Sequence, residues 1–456
     1  MLGSGIVNDI IVAISTALGK GAISIVRLSG EGCIDLVNKC FKGKNLTKVD
    51  SHTINYGFIV DNDTIIDQVL ISVMKAPKTY TREDVVEINC HGGIAATNKI
   101  LELMVLNGAR LAEPGEFTKR AFLNGRIDLV EAEAVMDLIN SKTEKARIQS
   151  VNQLEGRLTS VIRKFRQELL ELLANVEVNI DYPEYEDIEV VTIDNIKDRV
   201  GVMKNNLTEI IKESENRKII KDGINVAIVG RPNVGKSSIL NKLLGENKAI
   251  VTDIAGTTRD IVEGSITLNG ILLNFIDTAG VRDTLDVIEQ VGVEKSFEQI
   301  EKSDLVILVL NNNEEITKDD EVLIDKVKTK KYITVINKKD LDKKLDISKY
   351  DLENVIYTDT LSVDGIESLK SKIIELFNLD EIDNNVDIFT NTRQITLAKE
   401  ALNVLSDVET GINNDVPVDM VSIDIKRIWT LLGEILGENY SDELIDQLFS
   451  QFCLGK

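Results

Sequence analysis

The sequence predicts a multidomain fold. An N-terminal α+β domain leads into an α-helical domain that is discontinuous in the chain, and an α/β domain is inserted between the helical halves. Three observations predict it. Short alternating apolar runs separated by turns fill the chain to about Phe122. Apolar residues then recur at helical spacing from about Asn124 to Lys221, and again after Asn391. Between them, Asn225 to about Leu379 alternates near-continuous apolar strands with helical stretches. The expected domains are 1–122, 123–222, 223–379 and 380–456, the second and last forming one helical body.

In chain order, GAISIVRLSG, INYGFIV, QVLISVMK and DVVEINCHGG read as strands. LVEAEAVMDLINSKTEKARIQSVNQLEGRLTSVIRKFRQELLELLANVEVNI reads as helix, with Gly156 the one break of its kind. DYPEYEDIEV, with Pro183 and a run of carboxylates, ends it. NVAIVG, LLNFIDTAG, DLVILVLN and YITVINKKD are apolar enough to be buried on both faces of a parallel sheet. Near the end, SDELIDQLFSQF sets Leu444, Ile445, Leu448, Phe449 and Phe452 on one helix face. Cys453 falls at the edge of that face, where a free cysteine packs as a small hydrophobe, and Gly455 would end the helix.

Bulk properties narrow the function classes. A chain of 456 residues suits roughly three domains. The hydrophobic fraction is 43% and the charged fraction 28%, which fits soluble packed cores. No apolar run reaches the ~20 residues of a membrane span. The first residues lack the basic flank of a signal peptide. The cysteines Cys33, Cys40, Cys90 and Cys453 show no metal-ligand spacing and read as reduced thiols in a cytoplasm. A net charge of −22 argues against a generic nucleic-acid binder, so any RNA contact needs a local patch or a partner. The acidity is equally compatible with mere solubility.

GRPNVGKSS, Gly230 to Ser238, follows one apolar strand and opens a helix, the context a phosphate-binding loop requires. Gly230 and Gly235 permit a tight backbone whose N–H groups face phosphates. Asn233, Val234 and Ser238 complete the loop, Lys236 brings a cation to the β- and γ-phosphates, and Ser237 offers a hydroxyl to Mg²⁺. Asp277, Thr278, Ala279 and Gly280 end a later strand, where a carboxylate can hold Mg²⁺ through water. Asn337, Lys338 and Asp340 end another, and the Asp340 carboxylate can accept two hydrogen bonds from guanine that adenine cannot offer. The order of the three motifs predicts a Ras-like P-loop GTPase domain that takes GTP. GTTRD, Gly256 to Asp260, is the switch candidate. Val281, directly after DTAG, cannot orient a water, so another group must. The expected fifth guanine loop is weak, with Asp359, Thr360 and Leu361 ahead of Gly365.

YTREDVVEINCHGG, GARLAEPGEFTKRAFLNGRIDLVEAEAVMDLI, GRPNVGKSS, TDIAGTTRD and the terminal FCLGK, in that order, resemble the MnmE (TrmE) family of tRNA-modifying GTPases over essentially the full length. The resemblance implies an N-terminal domain that dimerises and binds a reduced folate, a helical domain and an inserted G domain. It implies a homodimer working with an FAD-dependent partner, MnmG (GidA), in a heterotetramer or larger complex. That complex adds a carboxymethylaminomethyl or aminomethyl group to C5 of the wobble uridine of tRNA. The one-carbon unit comes from 5,10-methylenetetrahydrofolate, with 5-formyltetrahydrofolate as an analogue.

By the same resemblance, K⁺ takes the charge role of an arginine finger, held by Asn233, Thr252, Ile254 and Thr257. Mg²⁺ is held by Ser237 and Thr258, and Asp253 and Ala255 join the nucleotide loop. Glu289 would orient the water; read alone it is an acidic residue in VIEQVGVEK. Arg27, Glu87, Arg126 and Lys456 would form the folate site; read alone, the arginines are surface ion-pair partners and Glu87 a strand carboxylate. The family has a proline- and glycine-rich loop where this chain reads STALGKGA, Ser15 to Ala22.

The tail formally reads C-a-a-X, but Lys456 does not fit a prenylation box and no basic stretch precedes it. The family ends in Cys-x-Gly-Lys, and there the tail reaches the folate site. Cys453 is therefore a candidate for the modification chemistry, as nucleophile, proton donor or packing group. A competing reading is a regulatory GTPase of the ribosome-assembly kind that modifies nothing. A third, a dimerisation module with a degenerate nucleotide site, conflicts with the intact Lys236, Ser237 and Asp277.

Overall fold

A computed structural model of the chain describes residues 9–181, 193–246, 264–276, 291–359, 366–379 and 387–456. They fall into two compact units. The first comprises Met1–Met136, Gln153–Lys204 and Thr396–Lys456; the second comprises Asp137–Asn152 and Asn205–Ile395. The architecture is multidomain, with an N-terminal α+β domain, helical segments and a parallel-sheet G domain.

The first unit is built on a sheet of β1 (Ile11–Ile14), β2 (Ile23–Ser29), β3 (Phe41–Lys42), β4 (Thr53–Asp61), β5 (Thr64–Met74), β6 (Val85–His91) and β7 (Arg110–Leu111). Their order is β3-β4-β5-β6-β2-β1-β7, antiparallel except for the β1–β7 pair. Helices α1 (Cys33–Lys39) and α2 (Ile94–Leu106) contribute to the core on one face, with Val26, Leu28, Ile71, Val73, Val86 and Ile88 turned toward them. The expected strands are β2, β4, β5 and β6. The structure adds β1 ahead of the Ser15–Ala22 loop; its four residues, IVAI, are too short and uniformly apolar to show alternation. That loop is held without prolines: the Ser15 N–H donates to Ile25 O at 2.9 Å, Gly21 N–H to Gly92 O at 2.9 Å, and the Thr16 and Ser24 hydroxyls lie 2.8 Å apart.

After α3 (Glu116–Leu123), the long helical stretch resolves into α4 (Leu129–Asn140), α5 (Glu144–Leu154), α6 (Arg157–Asp181) and α7 (Ile193–Asp222). Gly156 separates α5 from α6 as expected. The break at Ser141–Thr143 was not, because Ser and Thr interrupt a helix through local side-chain hydrogen bonds that leave no mark in apolar spacing.

The second unit begins its sheet with β8 (Ile224–Val229), which leads into α8 (Lys236–Glu246). It continues with β9 (Ser265–Leu268), β10 (Ile271–Phe275), α9 (Val291–Lys302), β11 (Leu305–Asn311), α10 (Lys318–Val327), β12 (Lys331–Asn337), β13 (Val355–Tyr357) and α11 (Glu367–Leu376). The order is β13-β12-β11-β8-β10-β9, parallel except for the β9–β10 hairpin. Alternate residues of β11 enter different cores: Leu305, Ile307 and Val309 on one face, Val306, Leu308 and Leu310 on the other. That explains its unbroken apolar run.

The chain then forms α12 (Thr392–Asn413), α13 (Val418–Leu436) and α14 (Asp442–Phe449). Within the first unit α13 packs along α6, and the Arg166 guanidinium sits 4.1 Å from the ring centre of Trp429. Two expectations about the tail are corrected. Helix α14 stops at Phe449, so Gly455 does not end it, and Cys453 is exposed and not a buried hydrophobe. Leaving helical geometry three residues before Phe452 dissolves the periodicity on which both expectations rested. No helix among the described residues is long and apolar enough to cross a membrane.

Candidate functional site

Two groups of residues stand out, one in each unit. In the second, β8 ends at Val229 and α8 begins at Lys236, with Gly230–Gly235 turning between them. Asn233 adopts a left-handed backbone with φ 62°. Gly235 has φ 103°, and a Cβ there would lie 2.1 Å from Asn337 Nδ2, so no side chain fits. Asn337 Nδ2 donates to Val234 O at 2.9 Å, and Lys338 Nζ donates to Asn233 O at 3.0 Å. The ends of β8 and β12 are thereby tied together, and exposed Asp340 follows the second tie.

Lys236 Nζ donates to Gly230 O at 2.6 Å and to Arg231 O at 2.8 Å. Burial pushes its pKa below the ordinary lysine value, because an ammonium among backbone carbonyls loses hydration that no anion replaces. A narrow backbone cradle with a desolvated cation at its floor fits a polyphosphate. Ser237 and Ser238 open α8 beside it. Thr252, Asp253, Ile254, Ala255, Gly256, Thr257, Thr258, Asp277, Thr278, Ala279, Gly280, Val281 and Glu289 lie outside the described residues, as do Thr360 and Leu361 of the weak guanine loop.

In the first unit the register of β2 against β6 sets Arg27 directly opposite Glu87. Arg27 Nε donates to Glu87 Oε1 at 2.9 Å, and Nη2 lies 2.9 Å from the same oxygen. The tail completes the group. Gly455 O accepts from Arg27 Nη1 at 3.1 Å and from the Ser15 hydroxyl at 3.1 Å. Gly115 N–H donates to Cys453 O and Phe117 N–H to Lys456 O, each at 3.2 Å. Gly455 takes φ 85°, and a Cβ on it would lie 2.5 Å from Ile14 O, so the close approach of tail to β1 requires glycine.

Lys456 is half-buried, and burial and then the Arg27 charge lower its pKa, while Cys453 and Glu87 pull it upward. The Lys456 ammonium thus shares one electrostatic neighbourhood with Arg27, Glu87 and the Cys453 thiol. Arg126 lies with its guanidinium 5.6 Å from the ring centre of Tyr80, and Arg27 lies 5.7 Å from that of Phe117. The Tyr80 hydroxyl is 3.0 Å from Thr118 Oγ1, and burial raises its pKa against the influence of Thr118, Arg27 and Arg126.

The structure therefore brings Arg27, Glu87, Lys456 and Cys453 together and sets Arg126 beside Tyr80. Ser15, Tyr80 and Phe117 had no assigned role in the sequence reading. Tyr80 stands inside the quoted YTREDVV motif and Phe117 inside GARLAEPGEFTKRAF, their one signal; Ser15 opens the quoted STALGKGA loop, but its contact with the tail left no mark in the sequence. The arrangement presents forked donors, a carboxylate and an ammonium around a partly desolvated surface, a set that suits a planar heterocycle carrying an acidic tail.

Comparison with known proteins covers both units. A profile described as the MnmE helical domain matches residues 129–453, and one described as the N-terminus of the GTP-binding protein TrmE matches residues 10–126. The tRNA modification GTPase MnmE of Bacillus cytotoxicus is 52% identical over 455 residues, spanning 98% of this chain and 99% of its own. That of Streptococcus thermophilus is 52% identical over 450 residues, spanning 98% of each. Among solved structures, the G domain of the Thermotoga maritima FeoB iron transporter is 27% identical over 34% of this chain and 98% of its own, with a TM-score of 0.24.

Proposed function

The chain belongs to the MnmE (TrmE) family of tRNA modification GTPases, and from that premise we propose that it is the GTP-hydrolysing member of a two-enzyme system that modifies C5 of the wobble uridine of tRNA. In this reading a flavin-dependent MnmG-type partner joins a homodimer of this chain in the cytoplasm. A tetrahydrofolate carries the one-carbon unit, and a carboxymethylaminomethyl or aminomethyl group is the product.

Each site has a distinct duty. Asp340 selects guanine, and Lys236 meets the phosphate charge with an ammonium that burial has already stripped of water. Ser237 and Thr258 are the Mg²⁺ ligands, and Asn233, Thr252, Ile254 and Thr257 the K⁺ ligands. Bound there, the ions supply positive charge where phosphoryl transfer develops negative charge. Glu289 orients water in the place where Val281 cannot. Arg27, Glu87, Arg126 and Lys456 hold the folate, and Cys453, in the same electrostatic neighbourhood as Lys456, takes part in the modification chemistry.

The observation that supports modification chemistry over a regulatory switch is the shared Gly455 carbonyl. Arg27 and Ser15 both donate to it and so hold Lys456 at the sheet. A switch that only binds and hydrolyses GTP has no use for this second polar site. The test is equilibrium binding of 5-formyltetrahydrofolate to the full chain and to the chain lacking Lys456. Micromolar binding lost on deletion, with GTP hydrolysis intact, is the expected result. Absence of folate binding to the full chain would move the regulatory reading ahead.

A further inference from the structure

A chain of net charge −22 repels polyanions over most of its surface, so contact with RNA has to be local. The first unit carries one such surface. Between Leu36 and Val49 the sequence has four lysines, Lys39, Lys42, Lys44 and Lys48, and no aspartate or glutamate; Asp35 and Asp50 flank it. All four are exposed, and none forms an ion pair or side-chain hydrogen bond among the described residues. Edge-strand protection accounts for Lys42 on β3, and the C-terminal end of α1 for Lys39. Neither accounts for Lys44 or Lys48.

The loop that carries them is closed on itself. Asn38 Oδ1 accepts from Leu46 N–H at 2.8 Å, and Asn45 Oδ1 accepts from Thr47 N–H at 3.0 Å to cap a short 3₁₀ turn, Leu46–Lys48. Leu46 and Phe41 point into the core. Lys75, from the end of the β5 hairpin, seats its ammonium on Val49 O at 2.6 Å and adds a fifth cation to the same base. In another lysine-rich stretch, in the second unit, Lys326 pairs with Glu301 at 3.2 Å, Lys330 donates to Glu301 O at 2.9 Å, and Lys331 lies 4.6 Å from the Phe377 ring centre.

We propose that the Lys39–Lys48 loop is the surface through which this chain engages the phosphate backbone of tRNA. The proposal rests on the reading of tRNA as substrate. Exposed point charges without carboxylate partners among the described residues suit phosphates and read no base. A membrane surface fits less well, because the loop's large apolar residues are turned inward and leave nothing to insert.

The test combines Lys42→Gln, Lys44→Gln and Lys48→Gln in the full chain, with Lys328→Gln and Lys349→Gln as a control pair of exposed lysines elsewhere. The readouts are tRNA binding across a salt series, KM for tRNA in the reconstituted modification reaction, tRNA-free GTP hydrolysis, and binding to phosphatidylserine vesicles. The triple variant is expected to flatten the log–log salt dependence by about two to three units and to raise KM for tRNA about tenfold. Its kcat and tRNA-free GTPase rate should match wild type, and the control pair should match wild type throughout. A triple variant with wild-type salt slope and KM overturns the loop assignment and leaves the tRNA reading standing. Loss of binding to phosphatidylserine vesicles with tRNA binding unchanged overturns it in favour of a membrane. A wild-type chain that neither binds nor modifies tRNA overturns both.

Discussion

At the scale of single residues, the proposed selectivity for guanine rests on Asp340, exposed just beyond the tie between the ends of β8 and β12. Asp340→Asn replaces a two-acceptor group with one acceptor and one donor, which complements xanthine in place of guanine. We expect GTP turnover to fall and xanthosine triphosphate turnover to rise, measured as the ratio of kcat/KM for the two nucleotides; an unchanged ratio would remove Asp340 from base recognition. Gly455→Ala places a Cβ where only 2.5 Å separates it from Ile14 O. The tail must lift, so folate binding should weaken while GTP hydrolysis continues at the wild-type rate. Equal affinity for 5-formyltetrahydrofolate would show that the tail is dispensable. These residues differ in legibility. Lys236 and Asp340 are readable because their neighbours along the chain are their neighbours in space. Arg27 and Glu87 meet only through a strand register 60 residues apart, so composition could not pair them and resemblance had to. Cys453 misled because helical spacing was extended past Phe449, where the helix had already ended.

Among elements, the start of α4 shows how a cap can carry an electrostatic burden. Asp128 Oδ1 accepts from Glu131 N–H, and Glu131 Oε2 accepts from Asp128 N–H, both at 2.9 Å, a reciprocal capping box. The Thr159 hydroxyl of α6 donates to Asp128 Oδ2 at 2.7 Å, and Arg163 Nη2 lies 3.7 Å from the same oxygen. Burial nonetheless holds the Asp128 pKa above its ordinary 3.8, and burial, then the Asp128 charge, raises that of Glu131 as well. The folded state therefore binds more protons than the unfolded chain just above pH 3.8, and this group's contribution to stability falls as pH rises through that window. Asp128→Asn keeps an acceptor for the cap and removes the buried charge. Its stability should lie within about 1 kcal/mol of wild type at pH 7 and should lose that acid-side slope. Urea midpoints from pH 4 to 7 that run parallel for both proteins would contradict this. The α4 boundary itself was legible as helix, whereas the interruption after Asn140 was not, because hydroxyl-to-backbone bonding leaves apolar spacing untouched.

For the molecule as a whole, the two candidate sites lie in different compact units, so their failures should separate. Under the proposed function, hydrolysis is expected to be faster in K⁺ than in Na⁺, because that scheme sets an ion near Asn233 against the transition-state charge. Rates identical in the two salts at equal ionic strength would remove that ion from the scheme. The tail lies in the other unit and is expected to leave this measurement unchanged, which makes K⁺ dependence an internal control for every variant at Gly455 or Lys456. The long span between Ser15 and Gly455 has a further consequence, in the order of synthesis. The two residues that share that hydrogen bond are 440 positions apart. At ordinary translation speeds of about 5 to 20 residues per second, Gly455 is made about 20 to 70 s after Glu87. The phosphate loop, complete two hundred residues earlier, folds while the other site is still open. The Arg27–Glu87 pairing across β2 and β6 is therefore made before the segment that supplies the Gly455 carbonyl exists, so the sheet has to form without that contact and accept it afterwards.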